Sequence, residues 1–262
     1  MDFARRTAVI TGASTGIGAA FARELAARGA RPVLVARSED RLTALAAELD
    51  AAHGVRPVVL ARDLAAPGAA AELERQLTER ELTVDLLVNN AGFGTHGPLG
   101  AADPDRIAEQ VGLNCLALTE LTTRLLPGML ARRRGAIVNL ASTAAFQPLP
   151  GMAVYGATKA YVLSFTEALA HELRGTGVRA LAICPGATET PFFAVMGGEV
   201  TGPGGKRTPE QVVGTALRAL ARGRASRVDG LLNRLTAASP RLLPRRAVPG
   251  VAARFTRVRE LG

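Results

Sequence analysis

The sequence is poor in the residues that most often build metal, disulfide and base-stacking sites. Its 262 residues include two cysteines, three histidines and no tryptophan, and only 4% are aromatic. His53, His96 and His171 lack the spacing of metal ligands, so a metal site has little support. Cys115 and Cys184 are interpreted as buried, reduced thiols of a cytosolic protein. Scarce aromatic residues and the lack of a known reader motif also argue against nucleic-acid binding.

Long apolar runs are missing as well. None reaches the roughly 20 residues of a membrane-spanning helix, and the predicted first strand begins within six residues of Met1, which leaves no room for a secretory leader. We therefore expect a cytoplasmic protein. A chain of 262 residues is within the range of single α/β domains, and 48% hydrophobic residues suffice for a full, mainly aliphatic core.

Two rare residue types occur together in one short segment. The sequence has two tyrosines and two lysines against thirty arginines, yet Tyr155 and Lys159 stand four residues apart, thirteen residues after Ser142. On a helix this spacing puts the phenol and the ammonium on one face. A nearby cation lowers the pKa of a tyrosine, which can then exchange a proton with a carbonyl or an alcohol near neutral pH. The alternative is a tyrosine and a lysine that share a helix face by chance.

A glycine-rich turn follows the first predicted strand. Residues 6–10 read as an apolar strand, residues 11–18 as the turn, and residues 19–28 as a helix. This order places backbone N–H groups and a helix N-terminus where a pyrophosphate can bind. Gly12 permits the tight turn, Gly16 the approach of phosphates, and Gly18 the packing of the helix on the strand. A plain turn between strand and helix is the alternative.

Together these segments resemble the short-chain dehydrogenase/reductase family, in its compact single-domain branch, over roughly residues 5 to 225. The matching motif residues are Thr11, Gly12, Gly16 and Gly18; Asp63 and Leu64; Asn89, Asn90, Ala91 and Gly92; Asn114; Ser142, Tyr155 and Lys159; and Pro185, Gly186, Thr188 and Thr190. The resemblance implies a catalytic domain over 1–225, with a variable substrate lid at about 187–207, and we treat residues 226–262 as a C-terminal extension.

The alternation of strands and helices predicts an α/β fold: a Rossmann-type, doubly wound parallel sheet with helices on both faces. Strands are predicted at about 6–10, 32–36, 56–61, 84–88, 136–141 and 178–184, and helices at about 17–28, 39–52, 68–81, 104–131, 152–174 and 209–222. The motifs follow strand ends, so we expect them to meet at one edge of the sheet, where ligands of such folds bind.

The cofactor implied by the resemblance is a nicotinamide dinucleotide. The residues expected to bind it are Gly12, Ser14, Thr15, Gly16, Ile17, Gly18, Arg37, Asp63, Leu64, Asn90, Ala91, Gly92, Tyr155, Lys159, Pro185, Gly186, Thr188 and Thr190. Arg37 stands after the second strand, where an acidic residue would select NAD, so we predict a preference for NADP(H). Thr15 occupies a position that is often basic in NADP-preferring members, and Arg37 could be an ordinary surface arginine. NAD(H) therefore stays an alternative.

The resemblance also implies the reaction, the interconversion of a carbonyl and an alcohol by hydride transfer. Tyr155 would be the general acid or base, Lys159 would lower its pKa and bind the nicotinamide ribose, and Ser142 would hold the carbonyl oxygen. Asn114 would support a water that relays protons to Lys159. The family further suggests a homodimer or homotetramer. A non-catalytic, dinucleotide-sensing or scaffold protein of the same fold is the alternative.

The substrate pocket is predicted to be apolar. Its expected wall residues are Ala144, Pro148, Phe192, Phe193 and Met196, with Phe146 nearby. A small apolar ketone, aldehyde or secondary alcohol fits such walls, although the lid residues could equally serve packing. The glycines of 197–205 indicate a mobile loop that closes over a ligand.

The positive charge of the protein is confined to its C-terminal end. Residues 218–262 carry eleven arginines against Asp229 and Glu260, whereas residues 1–217 carry 21 basic and 21 acidic side chains, so the formal charge of +9 belongs to the last 45 residues. Leucines alternate with these arginines. The pattern indicates either peripheral contact with an anionic membrane or a tail whose leucines pack on the domain or on a partner subunit.

Overall fold

The strands of this protein form one parallel sheet. The computed structural model describes residues 2–196 and 205–254, and within them seven strands follow the order β3-β2-β1-β4-β5-β6-β7. Each neighbouring pair runs parallel. The strands are β1 (Thr7–Thr11), β2 (Arg31–Ala36), β3 (Val58–Ala61), β4 (Val84–Asn89), β5 (Gly135–Leu140), β6 (Val178–Cys184) and β7 (Ser226–Val228).

Helices cover both faces of the sheet. They are α1 (Gly16–Ala27), α2 (Glu39–His53), α3 (Ala69–Glu79), α4 (Pro104–Val111), α5 (Leu118–Ala131), α6 (Ala153–Glu172), α7 (Phe192–Met196), α8 (Pro209–Ala221), α9 (Leu231–Ala238) and α10 (Val248–Ala252). In this part of the chain no helix combines the length and the apolar character needed to cross a bilayer. The prediction of a single-domain, Rossmann-type α/β fold is confirmed.

Successive strand residues point to opposite faces of the sheet and so build two cores. Ile10 of β1 packs with Phe21 and Leu25 of α1, in a cluster that α2 and α8 complete. Val9 packs on the other face with Leu73 of α3, in a cluster that includes α5 and α6. Because both faces are covered, the strands are apolar along nearly their whole length. The core is mainly aliphatic, as the low aromatic content predicts.

The helix predicted over 104–131 is divided into α4 and α5 by a π-helical turn, Gly112–Ala117. Such turns insert one extra residue into the helical hydrogen-bonding pattern and are frequent at functional sites. Asn114 lies in the turn and is buried. The helical spacing of apolar residues continues through the turn. The sequence therefore predicts one uninterrupted helix.

The sheet continues past the domain boundary predicted at residue 225. β7 pairs with β6, and Asp229, which follows β7, is fully buried and accepts hydrogen bonds from Arg207 and Thr215. The C-terminal segment therefore begins inside the domain. A strand of three residues is too short to produce a recognisable alternation of apolar and polar residues, so the pattern did not predict it.

The predicted site residues lie at one edge of the sheet because the carboxyl ends of parallel strands meet there. Gly12 follows β1, Asp63 follows β3, Asn90 follows β4, Ser142 follows β5 and Pro185 follows β6. This edge forms the wall of a large cleft.

Candidate active site

A cleft of about 490 Å³ runs along the carboxyl ends of the strands. Of the predicted site residues, it is lined by Gly12, Ser14, Thr15, Gly16, Ile17, Arg37, Asp63, Leu64, Asn90, Ala91, Gly92, Ser142, Ala144, Tyr155, Lys159, Pro185, Gly186, Thr188, Thr190, Phe192 and Phe193. Its volume is in the range of small-molecule and cofactor sites. The structure thus brings most of the predicted residues together in one cavity.

The glycine-rich turn is locked to the loop after β4. Thr11 Oγ1 accepts hydrogen bonds from the backbone N–H groups of Asn90 and Ala91, both at 3.0 Å. Asn90 Nδ2 donates in return to the carbonyls of Thr11 at 2.9 Å and Gly12 at 3.1 Å. Gly18 does not line the cleft, but a Cβ there would lie 2.2 Å from the carbonyl oxygen of Gly12. Its role is therefore packing, as predicted for the third glycine.

The N-terminus of α1 faces the cleft. Gly12 and Gly16 have φ values of +63° and +55°, a left-handed conformation that favours glycine. Thr15 is the N-cap residue, and its side chain makes no capping hydrogen bond. Gly16 and Ile17, the first residues of the helix, line the cleft, so the helix N-terminus with its positive dipole end borders it. These features suit the pyrophosphate of a dinucleotide, so the residues fit the cofactor that the resemblance implies.

The part of the cleft lining that follows β2 and β3 is rich in arginine. Arg37 follows β2, and its side chain is 66% exposed and pairs with Glu109 only at 3.6 Å. Arg41, in the first turn of α2, and Arg62 also line this part of the cleft. Arg41 was missed by the sequence analysis, although a helix beginning near residue 39 would have placed it one turn beyond Arg37. Asp63 Oδ1 accepts from the N–H of Ala65 at 3.0 Å, which fixes its loop.

Ser142, Tyr155 and Lys159 meet at the centre of the cleft. Ser142 caps the short 3₁₀ helix Thr143–Phe146, where its Oγ accepts from the N–H of Ala144 at 3.1 Å. Tyr155 and Lys159 occupy one face of α6, and both are almost fully buried. The Nζ of Lys159 donates to the carbonyl oxygen of Leu140, the last residue of β5, at 2.7 Å.

Burial moves the pKa values of the two titratable groups in opposite directions. It raises the pKa of Tyr155 to about 12, against a hydrogen bond with Ser142 that lowers it. It lowers the pKa of Lys159 to about 8. Burial thus outweighs the hydrogen bond at Tyr155, while the ammonium of Lys159 faces the carbonyl of Leu140. That Lys159 lowers the pKa of Tyr155 stays a prediction.

Asn114 does not line the cleft but holds the loop after β4. Its Nδ2 donates to the carbonyl of Phe93 at 2.9 Å and to Thr158 Oγ1 at 3.1 Å, and its Oδ1 accepts from the N–H of Phe93 at 3.1 Å. A Cβ on Gly92 would lie 2.8 Å from this Oδ1. Both amide hydrogens of Asn114 are therefore used within the protein, and its support of a proton-relaying water stays a prediction.

The apolar wall of the cleft is built mainly from α7 and the segment after β5. The ring of Phe192 lies 5.3 Å from that of Tyr155 and 5.6 Å from that of Phe193. Met196 is buried in the same cluster with Ala144 and Tyr155 but lies behind the lining.

One predicted wall residue is misplaced. Pro148 is exposed and does not line the cleft, whereas the next residue, Leu149, is buried and does. The backbone after the 3₁₀ helix turns Leu149 and Met152 inward, an orientation that spacing alone could not reveal. Phe146 packs instead at the margin of the cluster that contains Val162.

The two ends of the predicted lid are joined. The N–H of Glu189 donates to the carbonyl of Arg207 at 2.9 Å, and the N–H of Arg207 donates to the carbonyl of Ala187 at 3.0 Å. Residues 197–204 of the predicted lid, with most of its glycines, lie outside the described residues. Within residues 2–196 and 205–254, no group of three or more His, Cys, Asp or Glu side chains is placed to hold a metal.

The C-terminal helix α9 contributes a wall that the sequence analysis did not predict. Asn233, Thr236 and Ala237 line the cleft. Asn233 lies against Gly186, where a Cβ would come within 2.5 Å of its side-chain amide, and its Nδ2 donates to the carbonyl of Asp229 at 2.8 Å. Because α9 follows Gly186 by more than forty residues, the sequence pattern does not predict this contact, and only the folded structure shows it.

The motif arrangement agrees with the comparisons to known proteins. A family model described as short chain dehydrogenase matches residues 6–198. The chain belongs to the short-chain dehydrogenase/reductase family. As a member of this family it is an oxidoreductase.

Relatives of this short-chain dehydrogenase/reductase extend over most of its length. The human very-long-chain 3-oxoacyl-CoA reductase is 31% identical over 229 residues, covering 86% of this chain and 71% of that protein. A short-chain dehydrogenase from Sphingobium yanoikuyae in complex with NADPH has 37% identity and a TM-score of 0.81, covering 90% and 94% of the two chains. The bulky-bulky ketone specific alcohol dehydrogenase from Comamonas testosteroni has 32% identity and a TM-score of 0.77, covering 93% and 99%.

Proposed function

We propose that this protein is an NADP(H)-dependent carbonyl reductase that interconverts an apolar ketone or aldehyde and the corresponding alcohol. The observation that carries the proposal is the convergence of Ser142, Tyr155 and Lys159 in the cleft that also contains the glycine-rich turn. A hydroxyl, a phenol and an ammonium in one buried place provide a hydrogen-bond donor for a carbonyl oxygen and a proton source beside it.

Each of the three side chains has a separate role in this proposal. Tyr155 donates its phenolic proton to the carbonyl oxygen during reduction, and its raised pKa keeps that proton in place at neutral pH. Ser142 donates a hydrogen bond to the same oxygen and holds it near Tyr155. Lys159 supplies positive charge behind the tyrosine and, from its place on the cleft wall, binds the nicotinamide ribose. When bound, NADPH supplies the hydride.

The preference for NADP(H) is supported by the arginines at the end of β2. Arg37 and Arg41 line the same end of the cleft and are exposed, so both can reach a 2′-phosphate there. A guanidinium suits a phosphate because it offers several donors in one plane. The relative from Sphingobium yanoikuyae, described in complex with NADPH, adds support. NAD(H) is the weaker alternative.

The apolar character of the substrate is supported by Phe192, Phe193, Ala144 and Leu149, which line the cleft beside Tyr155. Such walls favour apolar groups on either side of a carbonyl. Two relatives are named a very-long-chain 3-oxoacyl-CoA reductase and a bulky-bulky ketone specific alcohol dehydrogenase. These names indicate sizeable substrates for those two enzymes.

The deciding experiment is NADPH oxidation by the purified protein with a panel of aliphatic, aryl and cyclic ketones and aldehydes. We expect turnover with apolar ketones and little with small carboxylate-bearing ketones. Binding of NADPH without turnover on any carbonyl would favour the non-catalytic alternative. Failure to bind either dinucleotide would contradict the proposal as a whole.

Association and location are also part of the proposal. A homodimer or homotetramer is supported by exposed apolar side chains on neighbouring helices, among them Val111, Leu116 and Tyr161. Light scattering on the purified protein measures this. A cytoplasmic location is supported by the free thiols Cys115 and Cys184 and is tested by fractionation of the source cells.

A further inference from the structure

The solvent side of α9 carries an unusual set of exposed leucines. Leu231, Leu232 and Leu235 are 71%, 51% and 61% exposed, and Arg234 is exposed among them. Single exposed leucines are ordinary, but three within five residues are not. The next segment repeats the pattern, because Leu242 and Leu243 are exposed between Arg241 and the pair Arg245 and Arg246. We call the exposed leucines and arginines of residues 231–246 the Leu/Arg surface.

The geometry of α9 separates this surface from the cleft. Successive residues of an α-helix are rotated by about 100°. Asn233, Thr236 and Ala237 therefore share one face, which lines the cleft. Leu231 and Leu235 lie on the opposite face, rotated by about 180° from it. In this helix of eight residues, Asn233, Thr236 and Ala237 thus face the cleft, and Leu231 and Leu235 face solvent.

The electrostatics of the segment are one-sided. Residues 230–254 contain five arginines and no acidic residue. The nearest acidic residue in the chain before them, Asp229, is fully buried and bonded to Arg207 and Thr215, so it does not offset them. The rest of the chain up to residue 217 is electrically balanced. The Leu/Arg surface therefore combines a local positive field with apolar side chains.

The structure excludes one explanation of the leucines. They do not pack on the domain within the described residues, because the five leucines of the surface are exposed. A partner subunit is the remaining alternative, and light scattering tests it below. Nucleic acid would satisfy the arginines but leave the leucines without an apolar partner. An anionic bilayer satisfies both, since arginines remain at the headgroups while leucines enter the interface.

We propose that the Leu/Arg surface docks this protein on the surface of anionic lipid membranes. Contact is peripheral: the leucines of α9 insert at the interface and the arginines of 234–246 contact lipid phosphates and carboxylates. Docking places α9, and so one wall of the cleft, at the membrane surface. A cleft at the membrane surface favours carbonyl substrates that partition into lipid. This last step rests on the proposed function.

Vesicle co-sedimentation of the full chain tests the proposal without any assay of activity. We compare binding at low salt to two kinds of vesicle. One contains phosphatidylcholine with about 30 mol% phosphatidylglycerol, an anionic lipid, and the other contains phosphatidylcholine alone. We expect binding to the anionic vesicles only, and its loss at 1 M salt, where the Debye length is about 3 Å.

Two sets of variants separate charge from apolar insertion. Each arginine near an anionic surface contributes roughly fivefold in affinity. A triple variant that combines Arg234→Gln, Arg245→Gln and Arg246→Gln should therefore bind anionic vesicles more weakly, on the order of a hundredfold. Leu231→Ser with Leu235→Ser should weaken it about tenfold or more. The control for the arginine variant is a triple variant at exposed arginines elsewhere, Arg56→Gln, Arg80→Gln and Arg174→Gln. The control for the leucine variant is Leu99→Ser, because Leu99 is 59% exposed. These controls should bind as the wild type does.

Three results would overturn the proposal. The wild-type protein could stay in the supernatant at low salt, or the controls could lose binding as strongly as the surface variants. The leucine variants could also lower the molar mass in light scattering while the wild type fails to bind vesicles, which would assign the leucines to a subunit interface. NADPH binding is measured in parallel, so that loss of the cofactor site and loss of docking are distinguished.

Discussion

The Nζ of Lys159 lies 5.8 Å from the centroid of the Tyr155 ring, and both side chains are almost fully buried. Burial disfavours the charged form of each group, so the pKa of Tyr155 rises to about 12 and that of Lys159 falls to about 8. Near pH 7 the phenol keeps its proton and the lysine is still mostly charged. The protonated phenol is the form that would donate a proton to the carbonyl oxygen in the proposed reduction.

The first prediction concerns the pH dependence of reduction. Tyr155 keeps its proton up to about pH 12, whereas Lys159 loses its charge above about pH 8. We expect kcat/KM for ketone reduction at saturating NADPH to be nearly constant from about pH 6 to 7 and to fall to about half near pH 8. Initial rates across this range provide the measurement. Rates that stay constant to pH 10 would show that the charge of Lys159 is not needed.

The same pKa gives a second prediction, on stability. In the unfolded chain Lys159 titrates at 10.5, and in the folded protein at about 8. Between these values the unfolded state binds the additional proton, so the contribution of Lys159 to the free energy of unfolding rises with pH. The full difference corresponds to about 3 kcal/mol. Urea unfolding of wild type and Lys159→Met at pH 7.5 and 10 measures it: the variant's stability advantage should shrink as the pH rises.

The third prediction is that Tyr155→Phe abolishes reduction. Only the phenolic hydroxyl can deliver the proton, so kcat should fall by at least about 10² while folding and NADPH affinity remain. Tyr161→Phe is the matched control, because Tyr161 is the second tyrosine of the same helix and is 42% exposed. Its kcat should match that of the wild type. Near-normal turnover in Tyr155→Phe would refute the proposed mechanism.

The sequence predicts the parts of the site that depend on local order. The glycine-rich turn lies between a strand and a helix, and Tyr155 and Lys159 are one helical turn apart, so short-range geometry alone brings each set together. The parallel sheet then places both at one edge. Such features need no knowledge of side-chain packing.

The features that the sequence misses depend on contacts between distant segments. The pKa of Tyr155 follows from burial by Phe192 and its neighbours, which residue spacing does not report. The inward turn of Leu149 rather than Pro148 depends on the path of one loop. The place of Asn233 beside Gly186 depends on β7, a strand too short to be recognised.

The fourth prediction concerns cofactor choice. If Arg37 binds the 2′-phosphate, Arg37→Asp replaces a charge-assisted hydrogen bond with repulsion and should weaken NADPH binding by at least about 2 kcal/mol, or roughly 30-fold in Kd. Arg41→Ala should cause a smaller loss. Binding of NADH should not weaken in either variant. Fluorescence titration with both dinucleotides measures the four affinities.

Arg80→Asp provides the control for overall charge, because Arg80 is exposed and lies outside the cleft. Its affinity for NADPH should stay within about twofold of the wild type. Equal affinities of the wild-type protein for NADPH and NADH would show that Arg37 is an ordinary surface residue. Equal losses for both dinucleotides in Arg37→Asp would point instead to a change in folding.

The last prediction tests whether α9 forms a wall of the cleft in solution. Gly186 has no left-handed backbone conformation, and the atoms nearest to a Cβ there belong to the side chain of Asn233, at 2.5 to 2.6 Å. Overpacking of this kind typically costs about 1–3 kcal/mol. We therefore expect Gly186→Ala to lower the free energy of unfolding by that amount. Gly250→Ala is the control, because no atom lies within 4 Å of a Cβ at Gly250.

Asn233→Ala removes the opposing atoms and should relieve the clash. Alone it should cost about 1 kcal/mol through loss of the hydrogen bond to the carbonyl of Asp229. In the double variant with Gly186→Ala, however, the two costs should not add, and the coupling energy from urea unfolding should reach at least about 1 kcal/mol. Additive effects would mean that Asn233 does not contact Gly186 in solution. In that case α9 would not pack against the loop after β6 in the way that the structure places it.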